Sequence, residues 1–160
     1  MPITYRRLQS SDLQQVRELW QERWAGDFVV AHGTIIYPEG LQGYVALDGV
    51  AWAGLITCSL SGGECEIVSL DGLQEGRGIG GRLIELAVDG AAQAGCRRVF
   101  LITTNDNLEA LGFYQKRGFE LVRIDRAALD RSRKLKPGIP PIGMHGIPLR
   151  DEIELEIRLP

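Results

Sequence analysis

The segment LQEGRGIGGRL, residues 73–83, is the part of the chain whose residue types most clearly predict chemistry. Gly76, Gly78, Gly80 and Gly81 lie between an apolar, strand-like run and a helix-like run. Glycine lets a backbone turn tightly, so the amide hydrogens of the turn can point outward. Together with the positive end of a helix dipole, such amides bind phosphate oxygens. The pattern therefore indicates a phosphate-bearing ligand, although such glycines are also found where a helix packs closely on a sheet.

The dinucleotide pattern G-x-G-x-x-G is also satisfied, by Gly76, Gly78 and Gly81. A dinucleotide fold places this pattern after the first of several parallel strand–helix units, with an acidic residue about 20 positions later. Three strands of antiparallel character precede the turn here, which disfavours a nucleotide-binding oxidoreductase. A P-loop is excluded because Arg82 and Leu83 stand where it requires Lys and Ser or Thr.

The elements that position this turn follow from the spacing of apolar residues. We predict strands at residues 3–8, 43–47, 50–60 and 64–70, the last three joined as antiparallel hairpins at Asp48-Gly49 and Gly62-Gly63. Helical spacing predicts one helix that opens with a capping box of Ser11 and Gln14 and runs to about Trp24. A second helix carries Ile79 and Leu83 on its apolar face and ends at Gly95.

The second half of the chain has shorter elements. We predict a strand at 97–103, a short helix from about 107 to 117, and strands formed by FELVRI and by DEIELEIRL. Residues 25–42 are expected to be irregular or partly helical. Residues 127–150 form a long connection with a basic, helix-like stretch and the Pro-rich run KPGIPPIGMHGIP. We expect one domain over residues 1–160.

The composition of the chain limits the classes of partner that we expect it to bind. The net charge is -3 and the charged residues are interspersed, which disfavours a nucleic-acid partner. No run approaches the roughly 20 apolar residues that a membrane span needs. The three cysteines show no CxxC spacing and the chain has two histidines, so we expect no metal site. We therefore expect a cytoplasmic protein with reduced thiols and no membrane partner.

Two motifs resemble those of a known family. VSLDGLQEGRGIGGRLIELA resembles the pyrophosphate-binding motif of the GNAT acyltransferases, and NLEALGFYQKRGFE resembles their second CoA-contacting motif. The second motif follows the spacing N-x-x-A-x-x-F-Y-x-K-x-G-F at Asn107, Ala110, Phe113, Tyr114, Lys116, Gly118 and Phe119. Both motifs are in the family's order and are joined by the strand RRVFLIT. Counted with the flanking strands, the resemblance covers about residues 3–159.

The resemblance implies a GNAT-like α/β fold, with a mixed, mostly antiparallel central sheet flanked by helices and a parallel strand-helix-strand unit in the middle. It also implies an N-acetyltransferase that moves an acetyl group from acetyl-CoA, its cosubstrate, to a primary amine. The acceptor is expected to be a small molecule or a peptide, and a homodimer is left open. The alternatives are a non-catalytic CoA-binding regulatory module and, less favoured, the oxidoreductase.

The same resemblance implies the residues of the site. The strand before the turn pairs its backbone with the pantetheine arm, and Asn107 lies beside that arm. The residues implied in cofactor binding are Val68, Ser69, Leu70, Gly76, Arg77, Gly78, Ile79, Gly80, Gly81, Arg82 and Asn107. Glu75 departs from the family, which usually has Arg or Gln at its position. Arg77 or Arg82 is expected to offset its charge.

Acetyl transfer needs a base for the amine, a donor for the developing oxyanion and an acid for the leaving thiolate. The resemblance assigns Tyr114 as the acid and the Leu70 amide as the oxyanion donor. Glu66 lies on the same strand, with Cys65 and Ile67 on the opposite face by alternation, and is the candidate base. The ordinary alternatives are a packed tyrosine ring and an exposed strand carboxylate.

The connection 127–150 is the predicted acceptor-binding segment, since a hairpin needs only about two to five residues. Its prolines would stiffen a binding loop and lower the entropy lost on closure. His145 and Arg150 are the candidates for contacting a polar group of the acceptor. A structural flap and a dimer contact are the alternatives.

Overall fold

The computed structural model describes residues 2–160. Nine strands and four helices lie in this part of the chain. They are β1 (Ile3–Arg7), α1 (Leu13–Trp24), β2 (Val29–Ala31), β3 (Thr34–Ile36), β4 (Gln42–Asp48), β5 (Ala51–Ser61), β6 (Glu64–Gly72), α2 (Ile79–Gln93), β7 (Arg98–Thr104), α3 (Leu108–Lys116), β8 (Glu120–Asp125), α4 (Ala128–Leu135) and β9 (Glu152–Arg158). Two 3₁₀ turns, Ser10–Asp12 and Met144–Gly146, complete the described elements.

Seven of the strands follow one another in the order β1-β4-β5-β6-β7-β9-β8, and β2 and β3 form a separate two-stranded sheet. The large sheet is mostly antiparallel, with β6 and β7 as its parallel pair. The predicted fold class, a mixed central sheet flanked by helices, is confirmed. The predicted hairpins are also confirmed, since β4, β5 and β6 pair antiparallel in sequence order.

The chain divides into two compact units, and the first comprises the N-terminal residues to Asp27, Pro38–Val99 and Arg158–Pro160. Strands β1, β4, β5 and β6 form its sheet. Its core is made of apolar side chains that are nearly or fully buried: Val16, Trp20, Val45, Ala46, Ala53, Leu55, Ile56, Ile79, Leu83, Ala87, Ala91 and Val99. The alternating strands and the predicted apolar helix faces converge on this core.

Helix α2 approaches β5 at Gly54, where the strand has no side chain. A Cβ atom at Gly54 would lie 2.6 Å from Ile79 Cγ2 and 3.1 Å from the Asp71 carbonyl oxygen. Glycine at this position therefore lets the first turn of α2 lie directly on the sheet. At the other end of the helix, Gly95 has φ +80°, as its predicted place at the C-terminus requires.

The start of α1 differs from the prediction. The helix begins at Leu13, after the 3₁₀ turn, and the capping box is formed by Gln9 and Asp12 instead of Ser11 and Gln14. The Asp12 carboxylate accepts the Gln9 backbone N–H at 2.7 Å and two hydrogen bonds from Arg6, at 2.8 and 3.0 Å. Arg6 lies on β1, so the partner that decides the cap is outside the helix.

The second unit comprises Phe28–Tyr37 and Phe100–Ile157. It contains the hairpin of β2 and β3, which corrects the prediction that residues 25–42 are irregular or partly helical. His32 and Gly33 form its turn with φ +43° and +74°. The His32 N–H donates to the buried Glu152 carboxylate at 3.1 Å, and Lys136 Nζ donates to the Phe28 carbonyl at 3.2 Å. Partners on β9 and at the end of α4 thus fix the hairpin.

The long connection 127–150 is ordered and only partly helical. After α4, an isolated bridge pairs Ile142 with Pro148, and Leu149 N–H donates to the Pro141 carbonyl at 2.9 Å. Residues 141–149 therefore form a small hairpin, which we call the proline hairpin. Arg133 on α4 supports it by donating to the carbonyls of Ile139, Pro140 and Leu149 at 3.3, 2.8 and 2.5 Å.

Residues 2–160 contain no helix both long enough and apolar enough to span a membrane. Within the same range, no group of three or more His, Cys, Asp and Glu side chains has the geometry to hold a metal ion.

Candidate active site

Strand β6 carries a β-bulge at Val68. Its register with β5 pairs Thr57 with Ser69 and Cys58 with Ile67, so Val68 has no partner on β5. A bulge inserts one residue and reverses the alternation of faces beyond it. Before Val68 the even-numbered residues of β6 lie on one face of the sheet, and after Val68 the odd-numbered residues lie on that face.

The bulge places Glu66, Ser69 and Asp71 on one face of β6, the face turned away from α2. Glu66 pairs with Ser59 and Ser69 pairs with Thr57, and these two β5 residues are two positions apart. Cys65 and Ile67 lie on the opposite face, as alternation predicts. Glu66 is 8% exposed, so the candidate base is a largely buried carboxylate and not an ordinary exposed one.

A buried hydrogen-bond chain fixes Ser69. The indole Nε1–H of Trp20 on α1 donates to Ser69 Oγ at 3.2 Å, and Thr57 Oγ1 lies 2.7 Å from the same oxygen. All three residues are at most 3% exposed. The Ser69 hydroxyl therefore links β6 to α1 and to β5.

Asp71 is the second buried acid on this face. Arg23 Nε donates to Oδ1 at 2.9 Å and Trp24 Nε1 donates to Oδ2 at 3.3 Å. Burial raises the pKa of Asp71, while the hydrogen bonds from Trp24 and Arg23 oppose that rise. The C-terminal turn of α1 is thereby attached to the end of β6 that leads into the glycine-rich turn.

The glycine-rich turn has the backbone conformation that its sequence predicts. Gly76 and Gly78 have φ +73° and +68°, and Gly78 is the N-cap of α2. The helical hydrogen bonds begin with the Arg82 N–H, which donates to the Gly78 carbonyl at 3.1 Å. The preceding amides of Ile79, Gly80 and Gly81 therefore point out of the helix N-terminus, where a phosphate group would bind.

The charged side chains of the turn contact one another and their neighbours. Arg77 Nη1 lies 3.1 Å from Asp48 Oδ2 and 2.7 Å from Gln74 Oε1, and Arg82 pairs with Glu85 at 3.0 Å. Both arginines are thus held by protein groups in this structure. Glu75 is exposed, which is consistent with a carboxylate directed away from the turn's amides.

The second motif lies in the second unit, on α3. Asn107 is the N-cap of this helix, and its side-chain oxygen accepts the Ala110 N–H at 3.1 Å. The cap uses the Oδ1 atom, so the Nδ2 hydrogens of Asn107 are directed elsewhere. The motif's glycine, Gly118, has φ +92° and closes the helix.

Tyr114 lies on the same helix and is 7% exposed. Its ring makes edge contacts with Phe113 and Phe119, with ring centroids 5.3 and 5.4 Å apart. The Tyr114 carbonyl accepts the N–H groups of Arg117 and Phe119. The ring is therefore packed tightly, and a packed ring is also what places a phenolic hydroxyl with precision.

Two residues just before Asn107 were missed by sequence reasoning. Asp106 is 2% exposed and accepts Thr104 Oγ1–H at 2.5 Å and the Met144 N–H at 2.8 Å. Asn105 Oδ1 accepts the N–H groups of Arg150 and Asp151 at 3.1 and 3.0 Å. Asn105 Nδ2 also donates to the Pro148 carbonyl at 2.9 Å, so these two side chains attach the proline hairpin to the start of α3.

The two candidates for contacting a polar group of the acceptor, His145 and Arg150, differ in their contacts. His145 Nε2 lies 2.8 Å from the Glu109 carboxylate on α3, and this contact lowers the pKa of Glu109. Arg150 donates two hydrogen bonds to Asp151, at 2.8 and 2.9 Å. Both side chains are exposed, His145 at 43% and Arg150 at 58%, but only His145 lies on the proline hairpin itself.

Comparison with known proteins identifies the family. Residues 5–119 match the family described as the acetyltransferase (GNAT) family, and the chain belongs to this family. It is therefore an acetyltransferase by class, which confirms the family and the enzyme class predicted from the two motifs.

Individual relatives cover nearly the whole chain. YxbD of Bacillus subtilis is 40% identical over 141 residues, which make up 88% of this chain and 89% of YxbD. An IAA acetyltransferase from Bacillus cereus superimposes with a TM-score of 0.74 at 24% identity, covering 98% of this chain and 99% of its own. A GNAT family acetyltransferase from Elizabethkingia anophelis with acetyl-CoA bound gives a TM-score of 0.69 at 21% identity, with 98% of each chain covered. These two likenesses show the fold.

Proposed function

We propose that this acetyltransferase transfers the acetyl group of acetyl-CoA to a primary amine of a small molecule or peptide. The observation that carries the proposal is the continuity of β6 with the glycine-rich turn. A strand with a bulge at Val68 runs directly into a turn whose three amides point out of a 15-residue helix. This arrangement suits a phosphate-bearing cosubstrate with an extended arm. Acetyl-CoA, which is bound to the Elizabethkingia relative, is such a molecule.

Cosubstrate binding is proposed to use backbone groups. The amides of Ile79, Gly80 and Gly81 hold the pyrophosphate at the positive end of α2. The backbone of Val68, Ser69 and Leu70 pairs with the pantetheine arm. Asn107 contributes its Nδ2 donors. Arg77 and Arg82 exchange their contacts with Asp48 and Glu85 for phosphate oxygens when the ligand is present.

The chemical step is proposed to follow from three groups. Glu66 accepts the proton of the attacking amine, directly or through one water molecule. The nitrogen attacks the thioester carbon, and the Leu70 N–H stabilises the oxygen as negative charge develops. The carbon–sulfur bond then breaks, and the Tyr114 hydroxyl gives its proton to the leaving thiolate.

The proline hairpin is proposed to form part of the acceptor site. Its position is fixed by Asn105 and Asp106, which immediately precede the N-cap Asn107. A Cβ atom at Gly143 would lie 2.1 Å from Asp106 Oδ2, so the backbone approaches that carboxylate closely. A loop held this firmly loses little entropy when it binds an acceptor.

The test is a screen of amine acceptors with acetyl-CoA, in which the released CoA thiol is measured. We expect thiol release that depends on both substrates and an acceptor product heavier by one acetyl group. The Glu66→Gln variant should bind CoA normally and lose most of the turnover at neutral pH. CoA binding without transfer to any amine class would favour the regulatory-module alternative.

A further inference from the structure

The structure brings two of the three free cysteines together on the face of the sheet covered by α2. Cys58 pairs in register with Ile67, and Cys65 pairs with Leu60, so the two cysteines are diagonal neighbours on β5 and β6. The two thiols are close enough for each to shift the pKa of the other. They are 4% and 2% exposed.

Both thiols also line a pocket of about 260 Å³. Its wall on α2 consists of small residues, among them Ala87, Gly90 and Ala91, and its other side includes Tyr44 and Arg7. Arg7 stacks on the Tyr44 ring, with the guanidinium carbon 5.7 Å from the ring centroid. A pocket of this volume has room for several molecules the size of water or hydrogen peroxide.

We propose that Cys58 and Cys65 form an oxidisable dithiol site that takes hydrogen peroxide as its reactant. The Cys65 sulfur attacks one peroxide oxygen, which breaks the O–O bond, releases water and leaves a sulfenic acid on Cys65. The Cys58 sulfur then displaces the hydroxyl group, which leaves as a second water molecule. Each thiol gives up one electron and one proton, and the product is a Cys58–Cys65 disulfide.

The roles of the two thiols follow from their contact. The Cys58 thiol lowers the pKa of Cys65, whereas the Cys65 thiol together with burial raises the pKa of Cys58. The thiolate is the nucleophile in such reactions, so Cys65 attacks first and Cys58 resolves. Cys96, the third thiol, is not among the residues that line this pocket, and burial raises its pKa.

The product would distort the strand pair. Diagonal neighbours in a sheet have Cα atoms about 7 to 8 Å apart, whereas a disulfide needs about 4.4 to 6.8 Å. The strands must therefore shift next to the bulge at Val68, and such a strained bond is readily reduced. Glu66 follows Cys65 directly, so oxidation should lower acetyl transfer reversibly. This last consequence rests on the proposed function, whereas formation of the bond does not.

The site is tested by treating the folded protein with hydrogen peroxide, denaturing it, alkylating the remaining thiols and measuring the intact mass. We expect one alkylated cysteine, Cys96, instead of three, a Cys58–Cys65 peptide in the digest, and three alkylated cysteines after reduction. Cys96→Ser should form the bond as wild type does, whereas Cys58→Ser and Cys65→Ser should not form it.

Three alkylated cysteines in wild type, at peroxide doses that oxidise a reference dithiol, would overturn the proposal, as would a disulfide that includes Cys96. The peptide map of the wild-type protein decides this even if the Cys58→Ser variant does not fold. Acetyl transfer measured on the same samples is expected to fall on oxidation and recover on reduction. Unchanged turnover with the disulfide present would refute the catalytic consequence alone. Absence of turnover before oxidation would refute the proposed function and leave the mass result standing.

Discussion

The Trp20 indole on α1 donates its hydrogen bond to Ser69 Oγ on β6, across 49 positions of sequence. This contact is fully buried and includes Thr57 as a third member. It attaches α1 to the strand just beyond the bulge at Val68. The hydrogen bond therefore fixes the position of α1 relative to the bulged strand β6.

Replacing Ser69 by Ala should lower the free energy of unfolding by about 1 to 3 kcal/mol, because the buried Trp20 N–H loses its acceptor. Urea denaturation followed by tryptophan fluorescence measures this change. Ser61→Ala, at an exposed position of β5, is the matched control and should have almost no effect. Equal stability of the two variants would show that the hydrogen bond contributes little.

Replacing Gly80 by Val should abolish the thermal stabilisation that CoA gives to the wild-type protein. Gly80 lies in the first turn of α2, where its amide points toward the proposed phosphate, and a branched side chain there blocks the approach. Thermal unfolding with and without CoA measures the effect. Gly138→Val serves as the control, since a Cβ at that position meets open space. If Gly80→Val keeps the full shift, CoA binds elsewhere.

Replacing Tyr114 by Phe should slow the chemical step by about 10² to 10⁴ with CoA affinity unchanged. The variant keeps the ring contacts with Phe113 and Phe119 and removes only the hydroxyl. Single-turnover kinetics with an acceptor found in the screen measures the step. Tyr37→Phe, at a 55% exposed position, controls for loss of a tyrosine hydroxyl. Full single-turnover activity of Tyr114→Phe would mean that the thiolate leaves without this proton.

Sequence patterns predicted the glycine-rich turn and the hairpins of β4 to β6, because each depends on residues close together in the chain. Strict alternation would have put Leu70 on the face of Glu66, but the bulge pairs Leu70 with Ile56 on the opposite side. The bulge leaves no signature in the apolar pattern.

Other features depend on distant partners. The role of Asp106 requires Met144, 38 positions later, and the role of Asn105 requires Arg150, 45 positions later. The β2–β3 hairpin has strands of three residues, which are too short for a periodic signal. The β-branched residues on both sides of His32-Gly33 were the available strand signal. Contacts across such separations become visible only when the chain has folded.

Replacing Asp12 by Asn should lower the free energy of unfolding at pH 7 by about 1.5 to 3 kcal/mol, the range for hydrogen bonds to charged groups. The hydrogen bonds from Arg6 hold the pKa of Asp12 below its ordinary value. A lowered pKa gives stabilisation that is present above the unfolded value of about 3.9 and is lost as the pH falls through the folded value.

The difference in unfolding free energy between wild type and Asp12→Asn should therefore shrink as the pH falls from 7 to below 3. Urea denaturation at a series of pH values measures it. Asp89→Asn, at an exposed position of α2, is the control and should run parallel to wild type. A difference that stays constant with pH would contradict the ion-pair explanation.

Replacing residues 142–148 by a two-residue Asn-Gly turn should abolish acceptor turnover while CoA binding is kept. The change leaves Arg150 and Asp151 attached to Asn105, and Arg133 retains the carbonyls of Ile139 and Pro140. Circular dichroism, CoA thermal shift and acetyl transfer are measured together. A folded variant that still acetylates the native acceptor would show that the proline hairpin is a structural flap.

The supports of the proline hairpin lie almost entirely outside it. Arg133 is on α4, and Asn105 and Asp106 belong to the segment before α3. An exchange of this hairpin between related enzymes, made to alter the choice of acceptor, must therefore transfer these anchoring residues as well. The hairpin and its anchors are not contiguous in sequence, so a graft of the hairpin alone would leave its anchors behind.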